Sequence, residues 1–396
     1  MSVVLPETID LSDEQFGRQI PFETFAALRV NAPIYWYAPG NCWVVTSYDL
    51  VERVNRDYRR FSNEGGIIGK DDPGHPRLQI MLNQDPPIHT MYRRLVNSKW
   101  TPRALLEHGD IINRTVATVF AEFTAKGEGD FVTEVAGPIP ARIIASIVGI
   151  PIEDAPLIWR WLNTLAPSTD PDYRPEPDSA VRARQEMDAY LAGLIDARRK
   201  SPTDDLISAL LALTKAESES LDEQEVSDFI SLFLTGGNET TRHLLSHTIE
   251  ALLANPEEQR RFVTGEAPAA LAAEEMLRWA APVLHHSRWC LEDTKVGGQP
   301  IRQGERVTLW MISANYDAAV FAEPHRLDLT RNPNPHVTFG GGGPHFCIGV
   351  HLARKEIMTA YEALRPLLPS LQQTGPVDRL WSNLFNGIKR LPVKIS

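Results

Sequence analysis

The run Phe339-Gly340-Gly341-Gly342-Gly343-Pro344-His345-Phe346-Cys347-Ile348-Gly349 passes directly into a helical pattern, Val350-His351-Leu352-Ala353-Arg354-Lys355-Glu356. Four consecutive glycines exclude a regular element there, because glycine gives up the most chain entropy when fixed. A cysteine where such a loop becomes a helix feels the unpaired N–H groups of the helix start, which lowers a thiol's pKa and favours metal ligation. The plainer reading is a buried free cysteine behind a tight turn. Against it, a packed loop has little use for four glycines, whereas a large planar ligand approached by backbone requires them.

With 396 residues and 43% hydrophobic content the chain can bury a large core, and length alone suggests two domains. A net charge of −11 argues against nucleic acid as a partner. The start, Met1-Ser2-Val3-Val4-Leu5-Pro6-Glu7-Thr8, has neither a basic region nor an apolar core, and no transmembrane span is expected elsewhere. Cys42, Cys290 and Cys347 are odd in number and widely spaced, which fits a reducing cytoplasm rather than a disulfide framework.

Along the chain, Ile34-Tyr35-Trp36-Tyr37 and Cys42-Trp43-Val44-Val45-Thr46 flank Pro39-Gly40-Asn41 as a hairpin, and a short helix is expected from about 48 to 55. Residues 63–87, broken by Gly and Pro, read as a long functional loop. Helical patterns follow near 90–100, 103–126, 131–148, 152–165, 179–199, 203–215, 222–253, 256–263 and 269–280. The proline-rich stretch 166–177 reads as a hinged lid. Strand-like sequence resumes over 282–311, with Gly297-Gly298 as a turn, and a Pro/Asn/Gly meander over 321–343 leads to Cys347. After a helix from about 348 to 367, apolar runs at Leu384-Phe385 and Leu391-Pro392-Val393 suggest a terminal hairpin.

Three further motifs carry chemistry. Thr235-Gly236-Gly237-Asn238-Glu239-Thr240-Thr241-Arg242 puts two glycines inside a long helix, at roughly 1 kcal/mol each against alanine. The space serves either a bound reactant beside an acid-alcohol proton relay or a helix packed closely on it with a solvated Glu-Thr pair. Glu275-Met276-Leu277-Arg278 places opposite charges at i and i+3, a structural pair that Arg326 is a candidate to complete. In Asp85-Pro86-Pro87-Ile88-His89-Thr90-Met91-Tyr92-Arg93-Arg94, His89 and Arg93 share a helix face and suit one anionic group, with Arg288 and His345 as further candidates; for each arginine alone a solvated face is the ordinary alternative.

These motifs, in this order, identify a family: from about Phe16 onward the chain resembles a soluble bacterial cytochrome P450, a haem-thiolate monooxygenase. The resemblance implies a mainly α fold with smaller β-sheets (α+β), a triangular prism holding haem between a long central helix and the cysteine loop. It implies one domain over 1–396, β-rich at about 30–65, 283–311 and 375–396 and helical over about 88–281 and 346–367. Cys347 matches the proximal iron ligand, with Gly349 beside the cofactor, and Glu239 and Thr240 match the acid-alcohol pair. His89, Arg93, Arg288 and His345 match positions that hold the haem propionates, while Glu275, Arg278 and Arg326 match a structural ion network. Phe339 lies eight residues before Cys347 where the pattern has seven, so one of the four glycines is inserted. Glu239 stands where Asp is commoner and Gly236 where Ala is frequent; with Ser382 to Arg390 these features are similar to the branch that oxidises sterol side chains and terpenoids.

The activity so implied inserts one atom of O2 into a C–H bond of a small hydrophobic molecule of steroid, terpenoid or fatty type. Its cofactor is haem b, and its electrons come from NAD(P)H through a ferredoxin and ferredoxin reductase. Substrate contacts are expected from Ile67, Ile68, Ile80, Met81 and Leu82, from Leu232, Phe233 and Gly236, from Val283 and Leu284, and from Leu384 and Phe385, a mostly apolar set. His285 and His286 face either the substrate or away from it. Arg94, Lys99, Arg103, Arg354 and Lys355 are candidates for a face that meets an acidic ferredoxin, or for an ordinary solvated face. The competing readings are a haem sensor or carrier without turnover and a peroxide-driven oxygenase.

Overall fold

The computed structural model describes residues 10–11, 14–68, 78, 80–166, 168–213 and 221–396. The expectations for 1–8, for 69–77 and 79 within the long loop, for Pro167 and for 214–215 lie outside the described residues. In chain order the helices are α1 (Phe22–Asn31), α2 (Tyr48–Arg56), α3 (Ile88–Asn97), α4 (Pro102–Glu107), α5 (Gly109–Lys126), α6 (Pro138–Val148), α7 (Ala155–Leu165) and α8 (Ser179–Lys200). Then come α9 (Leu206–Leu211), α10 (Glu223–Ala254), α11 (Pro256–Thr264), α12 (Ala269–Ala280), α13 (Met311–Ala314) and α14 (Val350–Leu364). The strands are β1 (Ile34–Tyr37), β2 (Cys42–Val45), β3 (Phe61–Ser62), β4 (Glu128–Asp130), β5 (His285–Cys290) and β6 (Thr294–Val296). They continue with β7 (Gln299–Ile301), β8 (Arg306–Trp310), β9 (Leu371–Gln373), β10 (Asp378–Arg379), β11 (Ile388–Arg390) and β12 (Pro392–Ile395).

The axis of the molecule is α10, whose 32 residues make a rod about 48 Å long at 1.5 Å per residue. A capping box starts it: Asp222 accepts from the Glu225 N–H and Glu225 accepts in return from the Asp222 N–H, each at 2.8 Å. Its middle third is buried almost all round, and it packs on α6, α8, α12 and α14. Despite Gly236-Gly237 the helix runs unbroken. Expected helices differ at three places. The segment 103–126 divides at His108 into α4 and α5, residues 132–136 form a wide π turn ahead of α6, and α9 is only six residues long.

Residues from both ends of the sequence build a five-stranded sheet of order β1-β2-β8-β5-β3, in which β2 and β8 are parallel. Pairing of His286 with Leu309 and of Arg288 with Val307 fixes β5 in register and sends those two side chains toward the cavity described below. The terminal strands do not form the expected hairpin. β11 pairs with β10, while β12 lies between β4 and β9 in a separate sheet. Residues 384–385 instead form a loop bridged to Val283. Of the expected lid 166–177, residues 168–177 are fastened rather than loose: Arg174 donates to the carbonyls of Thr164 and Ala166 at 2.8 and 2.9 Å, and buried Asp170 accepts from Lys389 Nζ at 3.1 Å. Among the described residues no helix is long and apolar enough to cross a membrane.

Candidate active site

The middle of α10, the cysteine loop, the start of α14, β5 and the 384–385 loop enclose one large cavity. On its α10 wall lie Leu232, Phe233, Gly236 and Thr240; opposite lie Cys347, Gly349 and Glu356. Of the expected substrate contacts, Ile67, Ile68, Met81, Leu82, Val283, Leu384 and Phe385 also line it. Two do not. Ile80 is fully buried in the main core, and Leu284 is fully buried beside Trp310 and Ile312 on the other side of the sheet. The turn into β5 gives the cavity to His286 instead, while the His285 ring packs on Trp310 with centroids 4.5 Å apart. Burial, then the charge of Arg306 for His285 and of Arg288 for His286, pushes both imidazoles down to about 3, so both are neutral.

All four loop glycines adopt positive φ, 95°, 61°, 107° and 80° from Gly340 to Gly343. Much of their need comes from within the protein, which corrects the expectation that only a planar ligand explains them. A Cβ on Gly343 would lie 2.9 Å from the Asn55 carbonyl oxygen, and one on Gly342 would lie 2.7 Å from Arg56 Nε. The end of α2 clamps the loop: Arg56 Nε donates to the Gly341 carbonyl at 3.0 Å. The Cys347 N–H closes on the Phe339 carbonyl at 3.0 Å across this left-handed run.

Cys347 sits two residues ahead of the Gly349 N-cap of α14, as expected, but its thiol pKa is raised rather than lowered. Burial outweighs the Gly349 N–H and the charges of Arg93 and Arg354, which pull the other way. A metal cation that displaces the proton reverses that balance, and the N–H and guanidinium groups then face the anion they suit. Among the described residues no three His, Cys, Asp or Glu side chains converge as a protein-only metal site. A lone thiolate therefore suits a metal whose other ligands come from a prosthetic group.

Beside the cysteine loop a cationic nest gathers with orphaned donors. Arg93 donates to the Pro344 carbonyl at 3.0 Å, and Arg288 donates to the Ser287 carbonyl at 2.8 Å and to Asn55 Oδ1. The His89 and His345 rings lie 4.2 Å apart, and His89 Nδ1 and His345 Nε2 are buried with no hydrogen-bond partner. Burial, then Arg93, pushes His89 down to about 4; burial, then Arg288, holds His345 well below the usual range. Burial also lowers Arg288 to about 10. A buried arginine, Arg288, a half-buried one, Arg93, and two orphaned imidazole nitrogens fit the pair of carboxylates that haem carries.

The two helix glycines have separate roles. A Cβ on Gly236 meets nothing within 4 Å and would project into open space at the cavity wall, whereas one on Gly237 would meet Ile144 of α6 at 3.3 Å. Thr240 Oγ1 lines the cavity and donates to the Gly236 carbonyl at 2.9 Å. Glu239 does not reach the cavity. It is fully buried against Arg242, accepts from Asn238 Nδ2 at 3.1 Å and lies 3.5 Å from His243 Nε2. Burial opposes its charge, yet Arg242 and His243 hold its pKa below the usual range. The acid and the alcohol are thus neighbours in sequence without a hydrogen bond between them in this conformation.

The ion network corrects one assignment. Glu275 accepts from Arg278 at 2.8 Å through both oxygens and, as expected, both residues are fully buried. The third member is Arg331, whose Nε lies 3.1 Å from Glu275 Oε2. Arg326 is 60% exposed and pairs with Glu323. Sequence reasoning also missed Glu356, which lies on the buried face of α14 between Leu352 and Ala360. It lines the cavity on the cysteine side, bonds to Thr241, and burial raises its pKa well above the usual range, so it is a neutral acid. The signal was available: residues 352, 356 and 360 share one helical face, and its outer two members are apolar.

Comparison with known proteins agrees with this geometry. The family model "Cytochrome P450" matches residues 271–364. The chain is 35% identical to a steroid C26-monooxygenase of Rhodococcus jostii over 98% of its own length and 85% of that protein's. It is 37% identical to a methyl-branched lipid omega-hydroxylase of Mycobacterium tuberculosis, covering 93% and 90%. The structure superposes on Mycobacterium marinum cytochrome P450 CYP268A2 in complex with pseudoionone with a TM-score of 0.91 and 32% identity, covering 98% of both chains. A lone thiol on the cavity wall, a cationic nest and an unbroken central helix with a glycine facing the same cavity, together with these relatives, place the chain in the cytochrome P450 family, as a haem-dependent monooxygenase.

Proposed function

We propose that this monooxygenase hydroxylates a hydrophobic molecule of the steroid, terpenoid or branched-lipid class, with Cys347 as the iron ligand. The observation that carries the reading is the apolar cavity lying between the Gly236–Thr240 stretch of α10 and Cys347. Haem held by a thiolate activates dioxygen so that one atom enters a C–H bond and the other leaves as water. Arg93, Arg288, His89 and His345 orient the cofactor by binding its carboxylates, and the neutral histidines donate without adding charge. Apolar side chains, Phe233, Leu384 and Phe385 among them, exclude water and hold the substrate by burial.

Thr240 supplies the proton-bearing oxygen at the cavity wall; rotating Oγ1 away from the Gly236 carbonyl turns its proton to the reactant. Glu239, held by Arg242, serves as the acid behind it and reaches Thr240 only when that ion pair opens. Electrons come from NAD(P)H through a ferredoxin. Its docking face includes exposed Arg94, Lys99 and Arg103, whereas Arg354 is largely committed to Glu274 at 2.6 and 2.7 Å.

The test is reconstitution of the holoprotein with ferredoxin, its reductase and NADPH against steroid, terpenoid and branched-lipid panels. Product carrying one labelled oxygen from O2 is expected. Turnover with peroxide alone and none with the reductase system contradicts the reading.

A further inference from the structure

Behind the reacting end of the cavity, α10 carries a stripe of titratable side chains. Glu239, His243, His247 and Glu250 fall at i, i+4, i+8 and i+11, within about 80° of one another around the helix and over about 17 Å of its length. Glu239 and both histidines are buried, whereas the outer end reaches solvent, where the side chains of Glu250 and its partner Arg379 of β10 are 23% and 28% exposed. His243 Nε2 lies 3.5 Å from Glu239 Oε2 and 3.3 Å from Arg242 Nη2. The carboxylate only accepts and the guanidinium only donates, so one contact needs a proton on Nε2 and the other needs its lone pair. Nδ1 of the same ring is buried with no hydrogen-bond partner among the described residues. A ring held for packing alone would have both nitrogens satisfied; this one stands between two tautomers.

One turn further along, His247 Nε2 lies 3.0 Å from the Asn386 carbonyl oxygen and Nδ1 lies 3.3 Å from Glu250 Oε2. Both nitrogens face acceptors, so this ring holds a proton on each. Burial opposes the Glu250 charge, but His247, then Arg379, keeps its pKa below the usual range. Burial, then Arg242, pushes His243 down to about 4, so that ring is neutral and passes a proton by taking one at Nδ1 as it releases one from Nε2. Around the inner end, Asn163 of α7 accepts from Arg242, and Tyr173 of the segment 168–177 feels both Arg242 and Glu239, its own pKa raised by burial.

We propose that His243 and His247 resupply Glu239 with protons drawn from solvent beside Glu250. As the Arg242 ion pair opens, Glu239 takes a proton from His243 Nε2 and gives it to the Thr240 hydroxyl, which passes its own to the reactant. His243 takes a replacement at Nδ1 from His247, its neighbour at i+4. His247 recovers its proton from solvent at the Glu250 end. One proton enters and one leaves, and no electron moves. This deepens the proposed acid-alcohol role and rests on it.

The test compares the parent holoprotein with His243→Phe, His243→Gln and His247→Gln, each with ferredoxin, its reductase and NADPH. Phenylalanine keeps a ring beside Phe385, whose centroid lies 6.1 Å from that of His243, and removes both nitrogens. Glutamine keeps polar contacts to Glu239 and Arg242 but does not relay a proton. All three variants are expected to retain haem and ferric-state substrate affinity. Both His243 variants are expected to lose about 10-fold or more in product formed per NADPH, with the balance as peroxide and an enlarged solvent deuterium isotope effect. A readout independent of turnover is the nitrogen-15 histidine spectrum of the ferrous carbonyl holoprotein at pH 7, with each ring assigned by its loss in the matching variant. It should show His247 protonated on both nitrogens and His243 as a mixture of tautomers. Parent-like coupling in His243→Phe, or coupling restored in His243→Gln, overturns the proposal, as does a single fixed His243 tautomer beside a neutral His247. Thr240→Ala keeps the outcomes separate: if it diverts NADPH to peroxide and His243→Phe does not, only the histidine path falls and the acid-alcohol reading stands.

Discussion

Arg331 Nε lies 3.1 Å from Glu275 Oε2 and makes the third side of a buried ionic cluster, in which Arg278 also donates to the Asn315 and Pro324 carbonyls at 2.9 Å. The cluster ties α12 to the loop that delivers Cys347. Removing one donor leaves Glu275 charge undercompensated in the interior, so Arg331→Ala should cost about 2–4 kcal/mol in urea denaturation. Arg326→Ala, on an exposed pair, should change stability by less than about 0.5 kcal/mol. The reverse ranking would restore Arg326 to the network.

Thr240→Ala removes the hydroxyl that donates to the Gly236 carbonyl at the cavity wall. The variant should keep its haem content and consume NADPH at a comparable rate, but send most reducing equivalents to peroxide, since a positioned proton donor contributes roughly 10²-fold or more. Product formed in step with NADPH consumption would remove Thr240 from the proton path.

Glu356 is a neutral acid bonded to Thr241. Because its charge is already absent, Glu356→Gln should keep stability within about 1 kcal/mol of the parent, whereas Glu356→Ala opens a cavity and leaves Thr241 without its partner, costing about 2 kcal/mol or more. Thermal unfolding of both holoproteins decides this. A large loss in the glutamine variant would mean that the carboxylate is ionised.

His285 gives a pH dependence with a definite sign. The unfolded chain protonates this imidazole below about 6.5, the folded protein only near 3, because burial opposes the charge. The unfolded state therefore binds more protons across that window, and stability falls as pH drops through it, by at most about 1.4 kcal/mol per unit. His285→Phe keeps the ring contact with Trp310 and removes a buried Nδ1 that has no partner. Its stability should fall less than the parent's between about pH 7 and pH 5; parallel curves would exclude His285 as a source of the acid limb.

What the sequence made legible follows from how each signal is encoded. Cys347, the Gly236-Gly237 stretch of α10 and the Glu275–Arg278 pair are local patterns, so spacing alone found them. Arg331 was missed because the meander carries two arginines five residues apart and nothing local says which one turns inward. Leu284 was placed on the wrong side because a single residue decides where β5 begins, and a shift of one position changes which face a side chain takes. The four glycines were read as space for a ligand, whereas Gly342 and Gly343 answer to the end of α2, a contact nearly 300 residues distant in sequence. Glu239 was paired with Thr240 by adjacency, but successive helix positions point about 100° apart. The carboxylate accordingly faces Arg242.

The central claim is that Cys347 binds the iron as a thiolate. The reduced, carbon monoxide-bound holoprotein should show the absorption band typical of thiolate ligation. Cys347→Ser, in a preparation that still retains haem, should lose it. An unchanged band in the serine variant would contradict the account.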